Sequence, residues 1–182
     1  MTDEPSPLVP AGDPGALKRA YSCFPSGVVA VCRRTTVDGP DFPAGTDIGM
    51  AASSFTTVSL EPPLVSVAVR HESATWPLLR DADELGVSVF AEHQGDLARQ
   101  LAGHPDRRFA GVRPVALSSG ALFIPGGTAH LLCTVAGELP AGDHTVVLLE
   151  IRSLRSDPTV EPLVFHASTF RALEARRALD GG

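Results

Sequence analysis

At 182 residues and 19.0 kDa the chain has the size of one domain, long enough to bury a core without disulfide or metal staples. Hydrophobic residues make up 43% and charged residues 20%, which excludes a disordered chain, and 15 Lys+Arg against 21 Asp+Glu leave a net charge of −6, the wrong sign for a nucleic-acid binder. No apolar stretch approaches the roughly 18–20 residues of a membrane span. The acidic, Pro-rich start (1–14) has neither the basic nor the apolar region of a signal peptide, so a cytoplasmic chain is expected. The 17 glycines and 16 prolines suit a β-rich fold with many turns. Cys23, Cys32 and Cys133 are odd in number and form no C-x-x-C pair, which argues against a disulfide scaffold or a zinc site; they read as buried thiols packed as small hydrophobes.

In chain order, residues 1–14 read as a disordered lead-in and 15–182 as a single domain. Helix formers over 15–23, with Leu17, Ala20 and Tyr21 on one face, predict a helix that Phe24-Pro25-Ser26-Gly27 breaks. A β-branched run over 28–34 predicts a strand, and Gly39, Pro40, Pro43 and Gly45 put a loop over 35–46. Residues 48–60 read as one extended segment, stopped by Glu61-Pro62-Pro63, and 64–69 as a strand. Thr75 is placed to cap a short helix over 76–81, with Pro77 in its first turn. A strand follows over 85–91 and a helix over 95–102, where Leu97 and Leu101 are four apart. The longest late strands are expected at 128–139 and 144–154, joined by Ala141-Gly142-Asp143. A short strand over 163–165 and a terminal helix over 170–179 complete the pattern. Strands without regular strand–helix alternation point to a small antiparallel barrel or sandwich rather than a doubly wound sheet.

Dinucleotide, P-loop and nucleophile-elbow motifs are all missing. His130 and Cys133 make a lone H-x-x-C on an expected strand; three apart, they face opposite sides, so no metal site is expected. The distinctive stretch is Gly49-Met50-Ala51-Ala52-Ser53-Ser54-Phe55-Thr56-Thr57-Val58-Ser59-Leu60-Glu61-Pro62-Pro63-Leu64. Its hydroxyls and main-chain N–H groups make a neutral donor surface suited to phosphate or to the polar edge of a planar heterocycle, or else a solvated face of an edge strand.

Phe24-Pro25-Ser26-Gly27-Val28, the 53–64 stretch, Thr75-Trp76-Pro77-Leu78-Leu79, Arg108-Phe109-Ala110-Gly111-Val112 and Gly142-Asp143-His144-Thr145 follow one another in that order. Together they resemble the flavin reductase family whose members supply reduced flavin to two-component monooxygenases. The resemblance covers about residues 17–171. It implies a mainly β, FMN-binding split β-barrel, antiparallel and Greek-key with a few short helices, usually a homodimer with flavin near the subunit interface.

Carried over residue by residue, the resemblance places Ala52, Ser53, Ser54, Phe55 and Thr56 along the flavin ring edge. Main-chain N–H groups there would stabilise the charge that reduction brings. Ser73 and Thr75, at the start of the Trp76 helix, are expected at the flavin phosphate. Arg107 or Arg108 would reach a phosphate, and Phe109 would cap the ring or pack in the core. Arg70, His71 and Glu72 stand where the family often has Asn or Ser; here Arg70 would either strengthen the phosphate contacts or form an ion pair with Glu72 instead. His144 is expected beside the nicotinamide as the catalytic, orienting residue. The implied activity is NAD(P)H-dependent reduction of FMN or FAD, with NADH or NADPH as co-substrate and a flavin-dependent monooxygenase as the functional partner; neither nucleic acid nor membrane is expected to bind. The alternatives are an enzyme that retains its flavin and acts on a second substrate, and a flavin-binding barrel without reductase activity.

Overall fold

The computed structural model describes residues 8–173. Its first element is helix α1 (Pro14–Ser22), where Asp13 caps the start by accepting from Gly15 N (2.9 Å) and Ala16 N (3.1 Å). The strands are β1 (Ser26–Gly27), β2 (Val29–Arg34), β3 (Asp47–Ala52), β4 (Thr56–Leu60), β5 (Pro63–Arg70), β6 (Leu85–Val89), β7 (Val115–Ala116), β8 (Leu122–Phe123), β9 (Ala129–Ala141), β10 (His144–Ser156), β11 (Val164–His166) and β12 (Thr169–Arg171). Helix α2 (Trp76–Leu79) follows β5, and α3 (Gly95–Leu101) follows β6. The long strands fall within two residues of their expected bounds, because β-branched runs ending at Gly or Pro mark them clearly.

Seven strands form one antiparallel sheet in the order β3-β2-β6-β9-β10-β5-β4. Strands β3 and β4 therefore occupy opposite edges, yet only Ser53, Ser54 and Phe55 connect them. Four residue steps reach about 14 Å at full extension. A flat sheet of this order would put its edges about 29 Å apart at ~4.8 Å per strand. The sheet must roll until its edges meet. They meet without pairing, since β3 pairs with β2 alone and β4 with β5 alone, which makes the structure a split barrel whose seam is the Ser53–Phe55 connection. The single extended segment expected over 48–60 is thus two strands.

Strand β2 divides the core. Val29 and Val31 face the barrel interior with Val67, Leu85, Val87, Val147 and Leu149. Val28, Ala30 and Cys32 face outward against Phe90, Leu101, Leu122 and Ile124, beneath α3. Each fully buried Val or Leu contributes roughly 1.5–3 kcal/mol. Gly86 on β6 allows Leu122 to approach, since a Cβ there would lie 2.2 Å from the Leu122 carbonyl oxygen. Gly142, at φ +64°, turns the β9–β10 hairpin.

Three further expectations need correction. Cys32 and Cys133 are buried, but Cys23 is exposed at the end of α1, its Sγ 3.4 Å from the Arg19 carbonyl oxygen. Thr75 makes no cap hydrogen bond; Ser73 Oγ instead accepts from Trp76 N at 3.2 Å. Phe170 belongs to β12 rather than to a helix. Ala167 (φ 50°) and Ser168 (φ 60°) form a tight turn that folds Phe170 onto Phe165, with ring centroids 5.4 Å apart. The rest of the expected helix, from residue 174 on, lies outside the described residues, as does the lead-in over 1–7.

Candidate functional site

The barrel seam opens into a cleft of about 550 Å³. One wall is the end of β3 with Met50, Ala51, Ala52, Ser53 and Ser54; the other is the end of β5 with Ala68, Val69 and Arg70, continuing through Glu72, Ser73 and Thr75. Leu101, Ala102, Arg108 and His144 complete it.

The seam owes its position to one side chain. Ser54 Oγ accepts from Ala68 N and donates to Ala68 O, both at 3.0 Å. Thr56 pairs with Ser66 in the ladder, so Ser54 is where the next strand pair, to Ala68, would form. A hydroxyl takes over that pairing. The main-chain N–H groups of Ser53, Ser54 and Phe55 donate to no protein acceptor among the described residues. They are donors on a segment pinned by its own side chain.

Strand register places His144. It begins β10 opposite Arg70, the last residue of β5, while His71 N donates to Asp143 O at 3.1 Å. The β9–β10 turn is thereby tied to the cleft wall. His144 Nδ1 lies 2.7 Å from Asp143 Oδ1, and this contact holds the Asp143 carboxyl below its usual range. With Nδ1–H donating to the carboxylate, Nε2 remains the acceptor.

Arg108 reaches the cleft from the loop after α3. Its Nε donates to Gly103 O (2.9 Å) and its Nη1 to Gly49 O (2.8 Å) and Thr75 Oγ1 (2.6 Å). Nη2 donates to no protein acceptor among the described residues, leaving two of the five guanidinium N–H donors uncommitted. Partial burial pulls the guanidinium down from its ordinary value, but an Arg stays cationic. Behind the site, Glu138 on β9 accepts from Trp76 Nε1 and from Arg80 Nη2, each at 2.9 Å. This double bond fastens α2, and with it Ser73 and Thr75, to the sheet. Arg70 and Glu72 share the wall without forming an ion pair.

Of the residues expected at the site, Ala52, Ser53, Ser54, Ser73, Thr75, Arg108 and His144 converge on the cleft. Phe55 instead packs against the barrel core, and Thr56 begins β4 as an exposed residue. Arg107 is exposed at the end of a 3-10 turn (Pro105–Arg107). Phe109 packs under α3 and lines a neighbouring chamber rather than the cleft. Met50 and Ala51 line the cleft as the start of the distinctive stretch, and Ala68, Val69, Leu101 and Ala102 line it without having stood out in the sequence. They are small or apolar residues whose type carries no chemical signal; only the barrel's rolling brings them together.

Residues 21–174 match the family model for the flavin reductase like domain. A curated relative, an NADH-dependent flavin reductase of Rhodococcus sp, is 38% identical over 96% of this chain and 94% of its own. The reductase subunit of a flavin-dependent monooxygenase of Mycobacterium tuberculosis is 32% identical, over 91% of this chain and 85% of its own. Among solved structures, an NADH:FAD oxidoreductase of Streptomyces globisporus in complex with NAD and FAD fragments superposes with a TM-score of 0.79 at 34% identity, covering 97% of this chain and 100% of that one.

Proposed function

Because the chain belongs to the flavin reductase like family, we propose that it oxidises NADH and passes the hydride to free FMN or FAD, releasing reduced flavin to a separate monooxygenase. The observation that carries this reading is the seam. The unpaired main-chain donors of Ser53–Phe55 share one cleft with Ser73, Thr75, Arg108 and His144.

Flavin supplies the electron chemistry, accepting hydride as it is reduced. The chain supplies the rest. Ser53–Phe55 N–H groups offer donors to the ring edge where negative charge develops, pre-aimed by the Ser54–Ala68 bonds. Arg108 Nη2 and Ser73 hold the phosphate end. His144 Nε2 accepts from the carboxamide NH₂ of the nicotinamide and aligns it for transfer. Every contact is a non-covalent hydrogen bond, Arg108 supplying a half-buried cation, which suits exchange of flavin with solution.

A second copy of the chain supplies the missing wall of the open cleft. Leu60 (96% exposed) and Val58 (51%) on β4, with Leu139 (55%) on the hairpin, are the apolar surface such a homodimer covers. The reading places the reaction in the cytoplasm, which keeps thiols such as the unbridged Cys23, Cys32 and Cys133 reduced. Steady-state oxidation of NADH and NADPH, with FMN, FAD and riboflavin varied in turn, tests the function. Turnover that requires flavin and saturates with added free flavin supports it. Turnover independent of added flavin supports a retained flavin instead, and none with any flavin overturns the reading.

A further inference from the structure

Between the β7–β8 hairpin and the paired ends of β9 and β10 lies a second pocket, of about 340 Å³. Its apolar walls are Val115, Leu117, Phe123, Pro125, Leu132 and Leu154, and its polar side chains are His130, Ser153 and Arg155. Leu154 (63% exposed), Val115 (55%) and Leu117 (43%) make the rim an apolar patch. Leu154 stands ten residues along β10 from His144, roughly 33 Å of strand, and no residue lines both this pocket and the flavin cleft.

Arg155 is a cation held in place without being neutralised. Its Nε donates to His130 Nδ1 at 2.7 Å. The Ile124 carbonyl oxygen, which can only accept, lies 2.7 Å from His130 Nε2, so the ring proton sits on Nε2 and the imidazole is neutral. Arg34, Arg80, Arg99 and Arg152 each bond a carboxylate instead. Neither Nη of Arg155 donates to a protein acceptor among the described residues, which leaves four N–H donors in a planar fork. Asp157, two positions on, accepts from Thr159 N at 3.0 Å and Thr159 Oγ1 at 2.6 Å rather than from Arg155. No carboxylate lines the pocket, in a chain of net charge −6.

This setting selects a ligand by its chemistry. Two oxygens in one plane match the guanidinium fork. One cation balances one negative charge; the second charge of a phosphomonoester would be left among apolar walls, where burial is costly. The volume stands at the small end of the range for ligand sites, room for a body of about one ring. We propose that this pocket binds a small apolar monocarboxylic acid, its carboxylate on Arg155 and its body between the β7–β8 hairpin and Leu154. His130 is the positioning residue, fixing the guanidinium while leaving its charge for the ligand.

Isothermal titration of the wild-type protein with cinnamate, with cinnamamide (the same shape without the charge) and with inorganic phosphate tests the site. The titrations are repeated in Arg155→Gln, in Val115→Trp, which fills the pocket from an exposed position, and in Arg152→Gln, an arginine of the same strand outside the lining. Cinnamate is expected to saturate one site per chain, with cinnamamide and phosphate at least about tenfold weaker. Arg155→Gln weakens cinnamate by at least about tenfold, Val115→Trp abolishes its binding, and Arg152→Gln behaves as wild type. Saturating FMN leaves the cinnamate Kd unchanged. Absence of heat with cinnamate at millimolar concentration overturns the proposal. Equal affinity for the amide would reduce the site to apolar contact, and equal affinity for phosphate to a bare cation; either overturns it. Wild-type affinity in Arg155→Gln or Val115→Trp, or displacement of cinnamate by FMN, places the acid elsewhere and overturns it as well.

Discussion

The Ser54 hydroxyl is 3.0 Å from both the nitrogen and the oxygen of Ala68, so one side chain takes the place of the strand pair that the barrel seam lacks. Ser54→Ala removes both bonds at an exposed site. Losing about 1 kcal/mol of net hydrogen bonding raises the KM for flavin roughly fivefold. Ser53→Ala, whose hydroxyl makes no such bond, leaves it within about twofold. Flavin titration by fluorescence quenching checks the pair; equal effects of the two variants would mean that the hydroxyls, not the main chain they position, hold the flavin.

His144→Ala removes the group that orients the nicotinamide. Loss of an orienting bond of ~1–3 kcal/mol slows hydride transfer by roughly 5–150-fold and raises the nicotinamide KM, with flavin affinity unchanged. Asp143→Asn frees the His144 tautomer and gives a smaller rise in nicotinamide KM. Stopped-flow traces at saturating flavin separate these effects. Loss of flavin binding in His144→Ala would move this side chain to the flavin site.

His130 provides a pH test of stability. It is buried, with Nδ1 accepting from Arg155 Nε and Nε2 2.7 Å from the Ile124 carbonyl oxygen. Burial first, then the Arg155 charge, lower its pKa, against the raising effect of the Ile124 carbonyl. The unfolded chain therefore binds the proton first. Stability is full above the unfolded value of about 6.5 and falls with pH until the folded value is passed. Denaturant midpoints measured across pH 7.5–5 are expected to drop, and His130→Gln to flatten that part of the profile. An unchanged slope in the variant would assign the dependence to other groups.

Gly86→Ala places a methyl 2.2 Å from a main-chain oxygen that cannot swing aside. Overpacking of this kind costs roughly 1–3 kcal/mol, occasionally more. Thermal melts are expected to show a clear loss of Tm, and a wild-type Tm would mean that β8 is free to shift away from β6.

Strand identities were legible because Val, Ile and Leu runs between Gly and Pro carry a local signal; β5, with Val65, Val67 and Val69 buried in alternation, is an example. The break at Ser53–Phe55 was not, because Ser and Thr continue the extended pattern while the fold change depends on strand order. Family motifs located Ser53, Ser54, Ser73, Thr75, Arg108 and His144 at one cleft. The local pattern of Thr75 before Trp76-Pro77 pointed to Thr75 as the helix cap, whereas its hydroxyl is taken by Arg108 from 33 positions away, a contact no local pattern encodes. Glu138, which clamps Trp76 and Arg80, was silent in sequence for the same reason.

Anaerobic mixing of the purified protein with NADH and free FMN or FAD, followed by the loss of oxidised-flavin absorbance, tests the central claim most directly. Flavin bleached in proportion to the NADH consumed, beyond one equivalent per chain, is the result expected of a reductase that releases its product. Bleaching that stops at one equivalent, or none at all, would contradict it.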